Sequence, residues 1–179
     1  MSTVGTRYVS LLRGINLGKT RQVSMPELAQ VYAGLGLTDV ATYIRSGNVV
    51  FTSDLGADEV RGRIQRAIAA ELSMDVDVVV RTHAEMAGVL ARNPFPQADP
   101  AHLAVVFLAG DAPADPAALV GPGDFGADEY TGDGREIYLH LPNGFGRSKL
   151  ATRMSALRQP VVGTVRNWRT VGKLVDMSA

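Results

Sequence analysis

The segment Asn93-Pro-Phe-Pro-Gln-Ala-Asp-Pro100 carries three prolines in eight residues. Proline lacks a backbone N–H and holds φ at about −65°, so neither a helix nor a central strand runs through such a stretch. The chain is therefore read as two parts, each folding from its own elements. Before the break, apolar spacing predicts a strand over Tyr8–Leu12, a helix opening at Ser24, a strand over Val40–Ile44, a turn at Arg45–Asn48 and its hairpin partner over Val49–Phe51. A helix with Val60, Ile64, Ala67, Ile68 and Leu72 on one face and a strand over Val76–Val80 complete the set, and a helix from Thr82 to about Arg92 trails it. After the break the order returns. His102–Leu108 is a strand, Pro116–Val120 a short helix, and Glu129–Thr131 with Glu136–Leu141 a hairpin about Gly132-Asp-Gly134. Ser148–Arg158 is a helix, Val161–Val165 a strand, and a last helix starts at Asn167.

Both halves thus read β-α-β-β-α-β, the ferredoxin-like unit. The expectation is an α+β fold of two tandem ferredoxin-like subdomains, 1–92 and 101–179, each with a trailing helix, joined by a linker at 93–100. One long mixed sheet is the alternative. Local chemistry supports the helix starts. Ser24-Met-Pro-Glu27 and Thr82-His-Ala-Glu85 have the spacing of a capping box, in which each end of the motif satisfies a backbone donor of the first turn. Asn167 suits an N-cap, and Trp168, Val171, Leu174 and Val175 share one face of the helix that follows.

The chain has no cysteine, which excludes disulfides, thiolate metal sites and cysteine nucleophiles. No apolar run approaches the ~18 residues of a membrane span, and the start, Met1 to Arg7, is too polar and short for a secretory signal. A cytoplasmic protein with no membrane partner is expected. The net charge of zero hides a segregation: Asn93–Gly134 has seven acids and no Lys or Arg, whereas Ile137–Val175 has seven bases and no acid. Such a chain either packs acidic surface on basic surface or presents a basic rim to an anion.

Gly14-Ile-Asn-Leu-Gly-Lys-Thr20 resembles a phosphate-binding P-loop, but that loop has four residues between its glycines and this one has three. The next helix also starts at Ser24, too late for Lys19 to sit at its N-terminus. In Asn143-Gly-Phe-Gly-Arg-Ser-Lys149, two glycines free the backbone N–H groups and a helix starts near Ser148, a setting that attracts anions; the plain alternative is that Ser148 is an N-cap. Trp168, between Arg166 and Arg169, reads as a core plug before a base-stacking residue. Arg45-Ser-Gly-Asn48 suits a tight turn, with Arg45 a partner for Glu27 or for an acid of the second half. His83, His102 and His140 show no ligand spacing, and no metal site is expected.

In the expected topology the end of the first strand and the first hairpin turn lie at one sheet edge. That gives a first basic rim of Arg13, Asn16, Lys19, Arg45 and Asn48. The same logic gives a second rim of Arg147, Ser148, Lys149, Arg166 and Arg169, with no acid nearer in sequence than Glu136 and Asp176. Three functions follow: binding of a phosphate-bearing ligand, nucleotide or nucleic acid, on the rims; an enzyme acting on a phosphorylated or carboxylated small molecule; or polar blocks that only lock the halves together. The sequence names no cofactor, no catalytic residue and no oligomeric state.

Leu11-Leu-Arg-Gly-Ile-Asn-Leu-Gly18, Tyr43-Ile-Arg-Ser-Gly-Asn-Val-Val-Phe51, Asn93-Pro-Phe95, Gly144-Phe-Gly-Arg-Ser-Lys-Leu150 and Arg166-Asn-Trp-Arg-Thr-Val171 with Lys173-Leu174 are similar, block by block and in order, to the bacterial family called domain of unknown function 1697. The resemblance spans nearly the whole chain. It implies an α+β fold of two ferredoxin-like subdomains and carries no activity, substrate or cofactor with it. The chain departs at Arg45, where relatives often carry Gln, and at Lys19, where they often carry a second Gly.

Overall fold

The computed structural model of the chain describes residues 4–110, 112–158 and 160–179; residues 1–3 of the polar start, Asp111 among the acids and Gln159 lie outside the described residues. The protein is α+β. Its first sheet comprises β1 (Thr6–Leu12), β2 (Thr38–Tyr43), β3 (Asn48–Ser53) and β4 (Val78–Thr82), with helices α1 (Met25–Gly34), α2 (Ala57–Leu72) and α3 (His83–Ala91). Its second comprises β5 (Leu103–Leu108), β6 (Glu129–Asp133), β7 (Glu136–His140) and β8 (Gly163–Asn167), with α4 (Lys149–Ser155) and α5 (Trp168–Ser178). Both sheets are antiparallel and four-stranded, ordered β2-β3-β1-β4 and β6-β7-β5-β8. One long mixed sheet is thereby excluded. Pro116–Val120 forms a 3-10 turn where a short helix was expected.

The helix starts follow the capping chemistry. Ser24 Oγ accepts from Glu27 N, and a Glu27 carboxylate oxygen accepts from Ser24 N. Thr82 and Glu85 make the same reciprocal pair, and Asn167 Oδ1 accepts from Thr170 N. β4 and β8 each run two residues beyond the expected end. Pairing with the preceding central strand sets this, placing Val78 opposite Leu12 and Gly163 opposite Leu108.

Alternation then sorts the side chains. Tyr8, Leu12, Val49, Phe51, Val78 and Val80 pack with Leu28, Val31 and Tyr32 of α1 and Val60, Ile64 and Ile68 of α2. Ala104, Val106, Leu108, Ile137 and Leu139 pack with Leu150, Ala151 and Met154 of α4. The other faces are buried as well, through Val9, Leu11, Val50 and Val79 in one sheet and Leu103, Val105, Phe107 and Tyr138 in the other. In the second sheet Tyr138 OH donates to Val89 O at 2.8 Å and its ring lies 6.4 Å from that of Trp168, which is half-buried.

Residues Met1–Ala87 with Leu174–Ala179 form one compact unit and Gly88–Lys173 the other. These limits differ from those read at 92 and 101. The chain's end joins the first unit because Arg7 donates to Met177 O at 3.1 Å and His83 Nδ1 lies 2.9 Å from the buried Ser178 hydroxyl. The Asn93–Pro100 segment lies inside the second unit, where Phe95 packs its ring 5.6 Å from that of His140.

Candidate functional site

After β1 the backbone enters the left-handed region four times, at Gly14, Asn16, Gly18 and Arg21. Asn16 holds the resulting loop. Its amide donates to Val23 O at 3.0 Å and to Arg45 O at 2.8 Å, and its Oδ1 accepts from Val23 N at 2.8 Å. Asparagine suits the position because it tolerates positive φ and carries both donor and acceptor on a short stem. Gln22 adds a second brace, donating to Gly18 O and accepting from the Arg45 guanidinium, each at 2.7 Å. The β2–β3 turn is fixed from its other side. Leu12 N donates to Gly47 O at 2.8 Å, and the fully buried Asn48 donates to Tyr43 O and Ser46 Oγ. Gly47 has φ +88°, and a Cβ there would meet Leu12 Cβ at 2.8 Å, so no other residue fits.

The two loops thus make one braced edge, as the topology requires. What the edge exposes is mixed: Lys19, Arg21 and Arg45, with the aliphatic Leu17 (69% exposed) and Ile44 (47%). Ile44 is β-branched yet sits at φ +47°, a conformation that costs about 1–2 kcal/mol. Arg45 also borders a recess of about 380 Å³ with Gln22, Val23, Met25 and Glu27. The Ser24 backbone N–H and then its hydroxyl hold the Glu27 carboxyl below the usual carboxylate range. Arg45 does not pair with Glu27; its guanidinium goes to Gln22 instead. Arg13 is half-buried and its N–H donates to Asp77 O at 2.9 Å. Helix α1 begins only at Met25, so the loop does not lead into a helix as a P-loop does.

The second expected rim does not form one site. β7 and β8 do end at the same edge, on either side of β5, His140 opposite Leu103 and Asn167 opposite Ala104, but the side chains diverge. Ser148 caps α4 through Ala151 N and donates to Asp128 Oδ2 at 2.7 Å. Arg147 and Lys149 border a recess that Asp124 and Asp128 also line. The nearest acids in sequence are Glu136 and Asp176, but in space Asp128, twenty residues from Ser148, lies beside it, without an ion pair to Arg147 or Lys149. Arg166 turns into the buried face of the sheet, donating to Thr164 Oγ1 at 2.8 Å and Val165 O at 2.9 Å, and burial pushes its guanidinium down to about 10. Lys19, Arg147, Lys149 and Arg169 are exposed, with no side-chain hydrogen bond or ion pair to the described residues.

Sequence reasoning passed over Arg81, which is 1% exposed and donates to Val80 O. It is the counterpart of Arg166. Arg81 lies opposite Val9 on β1 and Arg166 opposite Val105 on β5, and each immediately precedes the residue that caps a trailing helix. The signal was present: Val80-Arg-Thr-His83 repeats as Val165-Arg-Asn-Trp168, and Met86 and Val89 recur as the buried Val171 and Leu174. Among the described residues no three His, Asp or Glu side chains converge as a metal site needs, and no helix is long and apolar enough to cross a membrane.

The family described as "Protein of unknown function (DUF1697)" matches residues 6–138. The chain belongs to this family. The match takes in both loops of the braced edge and stops before the Gly144–Leu150 and Arg166–Val171 blocks. A solved structure, that of conserved bacterial protein SP0830 from Streptococcus pneumoniae, superposes with a TM-score of 0.80 over 97% of this chain and 99% of that one, at 24% identity. At that identity the likeness speaks for the fold. No curated protein matches.

Proposed function

We propose that this family member is a cytoplasmic bacterial binding protein, built from two tandem ferredoxin-like subdomains, that holds a phosphate-bearing ligand, nucleotide or nucleic acid, on the braced loop edge of its first unit. The strand order common to both sheets supports the fold reading. One observation carries the functional reading. Lys19 and Arg45 are presented from two loops that Asn16 ties together, so little loop ordering is left to oppose binding. Arg21 adds a third exposed cation, positioned by its bond to Asp75 O. Backbone strain at Asn16, Arg21 and Ile44 in one surface patch agrees with a functional edge. Of the second rim, Ser148 and Arg166 serve the fold of their own unit, as their hydrogen bonds indicate.

The test is a titration of a labelled single-stranded oligonucleotide and, by calorimetry, of ATP, at several salt concentrations. Three phosphate contacts give a slope of log K on log salt of about −2 for a single strand. The Lys19→Ala, Arg45→Ala double variant is expected to lower that slope by about 1.4, while Arg147→Ala, Lys149→Ala leaves it unchanged. Absence of binding by both probes at low salt sinks the reading and leaves the polar blocks with a structural role only.

A further inference from the structure

The segment 121–128 and the glycine-rich segment 143–149 of the second unit border a recess of about 290 Å³. Its lining residues carry both signs of charge, Asp124 and Asp128 with Arg147 and Lys149, and include Asn143 and Phe125. The acids are held in place. Asp124 Oδ1 accepts from Gly126 N at 3.0 Å, and Asp128 accepts from Ser148 Oγ at 2.7 Å. The Phe125 ring is held too, with the Arg153 guanidinium 4.9 Å from its centroid and that guanidinium bonded to Val120 O and Pro122 O. Yet neither Arg147 nor Lys149 forms an ion pair with either carboxylate. Two acids and two bases share one recess without neutralising each other.

A ligand of a single sign is attracted by one pair there and repelled by the other. A ligand with separated opposite charges is attracted by both. The recess is at the small end of ligand sites. We propose that it binds a small zwitterion of the amino-acid class, the ammonium at Asp124 and Asp128 and the carboxylate at Arg147 and Lys149. The N-terminus of α4 has no part in this, since that helix has seven residues and Ser148 already caps it. The site does not depend on the loop edge of the first unit.

The experiment is an amide-resolved NMR titration of the full chain with phenylalanine, phenylacetate and phenethylamine, which share a ring and differ in charge. Phenylalanine is expected to shift the amides of Gly126, Asn143 and Lys149 and to bind about fivefold tighter than either singly charged probe, the preference one exposed ion pair supports. Asp124→Asn and Lys149→Gln, both surface changes, should each weaken phenylalanine by a similar factor. Asp124→Asn should leave phenylacetate no weaker, and Lys149→Gln should leave phenethylamine no weaker. The proposal is overturned if phenylalanine leaves these amides unmoved, or if it binds no better than the singly charged probes.

Discussion

The first strands of the two units end alike. Leu12 N donates to Gly47 O at 2.8 Å and Arg13 N to Asp77 O at 2.9 Å; in the second unit Leu108 N donates to Arg135 O and Ala109 N to Val162 O, both at 2.9 Å. Past that point the units part. The first continues into a loop braced by Asn16 and then into the ten-residue α1, whereas the second reaches only a five-residue 3-10 turn capped by Asp115. The strand frame recurs, down to a buried arginine at the same register position, and the loop edge does not. A recurring frame speaks for folding and a divergent edge for function, because loops on a rigid scaffold vary at little cost to the core.

Removing Leu174–Ala179 should break the comparison most severely, since it takes from the first unit the only part of α5 that belongs to it. The deletion loses the fully buried Leu174, the Ser178 contact with His83 and the Arg7 bond to Met177 O. We expect a loss of about 4 kcal/mol, from one buried aliphatic side chain and two or three hydrogen bonds. Hydrogen exchange should rise at β1 and β4 before it rises at β5. An unchanged melting temperature would show that the chain's end does not support the first unit.

Arg81→Ala and Arg166→Ala come next. Each removes a buried guanidinium and deprives its acceptors of their partner, for an expected cost of about 2–4 kcal/mol. If the two arginines are counterparts, the two costs should agree to within about 1 kcal/mol. Denaturant midpoints at constant slope provide the measurement. A large loss in one and none in the other would reduce the matching register to coincidence.

What could be read in advance was the local part of this design. The capping boxes at Ser24 and Thr82 involve residues three apart, and the alternation of Val78 and Val80 needs only its own strand. Hence the succession of strands, the pairing at the first turn and the nearness of the two loops were legible, whereas the burial of Asn48 beneath them was not. The second rim was misread because its outcome is tertiary. Nothing near Ser148 in sequence announces Asp128, and whether Arg166 meets water depends on what covers the far face of β8. Arg81 was hidden for the same reason: an arginine at the end of a strand is ordinarily exposed. Only its repetition before a second helix cap distinguished it.

Asn16→Ala should sharpen the contrast between the two edges. It deletes three hydrogen bonds that join the β1–α1 loop to its own base and to Arg45, and it places alanine at φ +54°. The expected loss is about 2 kcal/mol, smaller than for the arginines because the site is partly wet. Binding by the loop edge should fall as well, since Lys19 and Arg45 would no longer share a rigid base. Asn16→Asp keeps the acceptor for Val23 N but sets a carboxylate oxygen against Val23 O and Arg45 O, so it should not recover the loss seen with alanine. A stability near that of the natural residue would mean that the two donated bonds contribute nothing.

Ile44→Gly carries the smallest expected effect and the most pointed one. Ile44 stands at φ +47° with roughly half of its surface in water. Glycine relieves a left-handed strain of about 1–2 kcal/mol, against which stand about 0.8 kcal/mol of lost apolar contact and some added freedom of the unfolded chain. The balance is a change within about 0.8 kcal/mol of zero. No stability argument then accounts for an isoleucine at this place. If the braced edge is a binding surface, the exposed side chain is there for the ligand, and Ile44→Gly should weaken binding severalfold while leaving the melting temperature nearly level. Paired measurements of melting and of oligonucleotide and ATP affinity on one preparation decide it. A variant that melts several degrees lower and binds as before would assign Ile44 to the fold and remove the strain from the case for function.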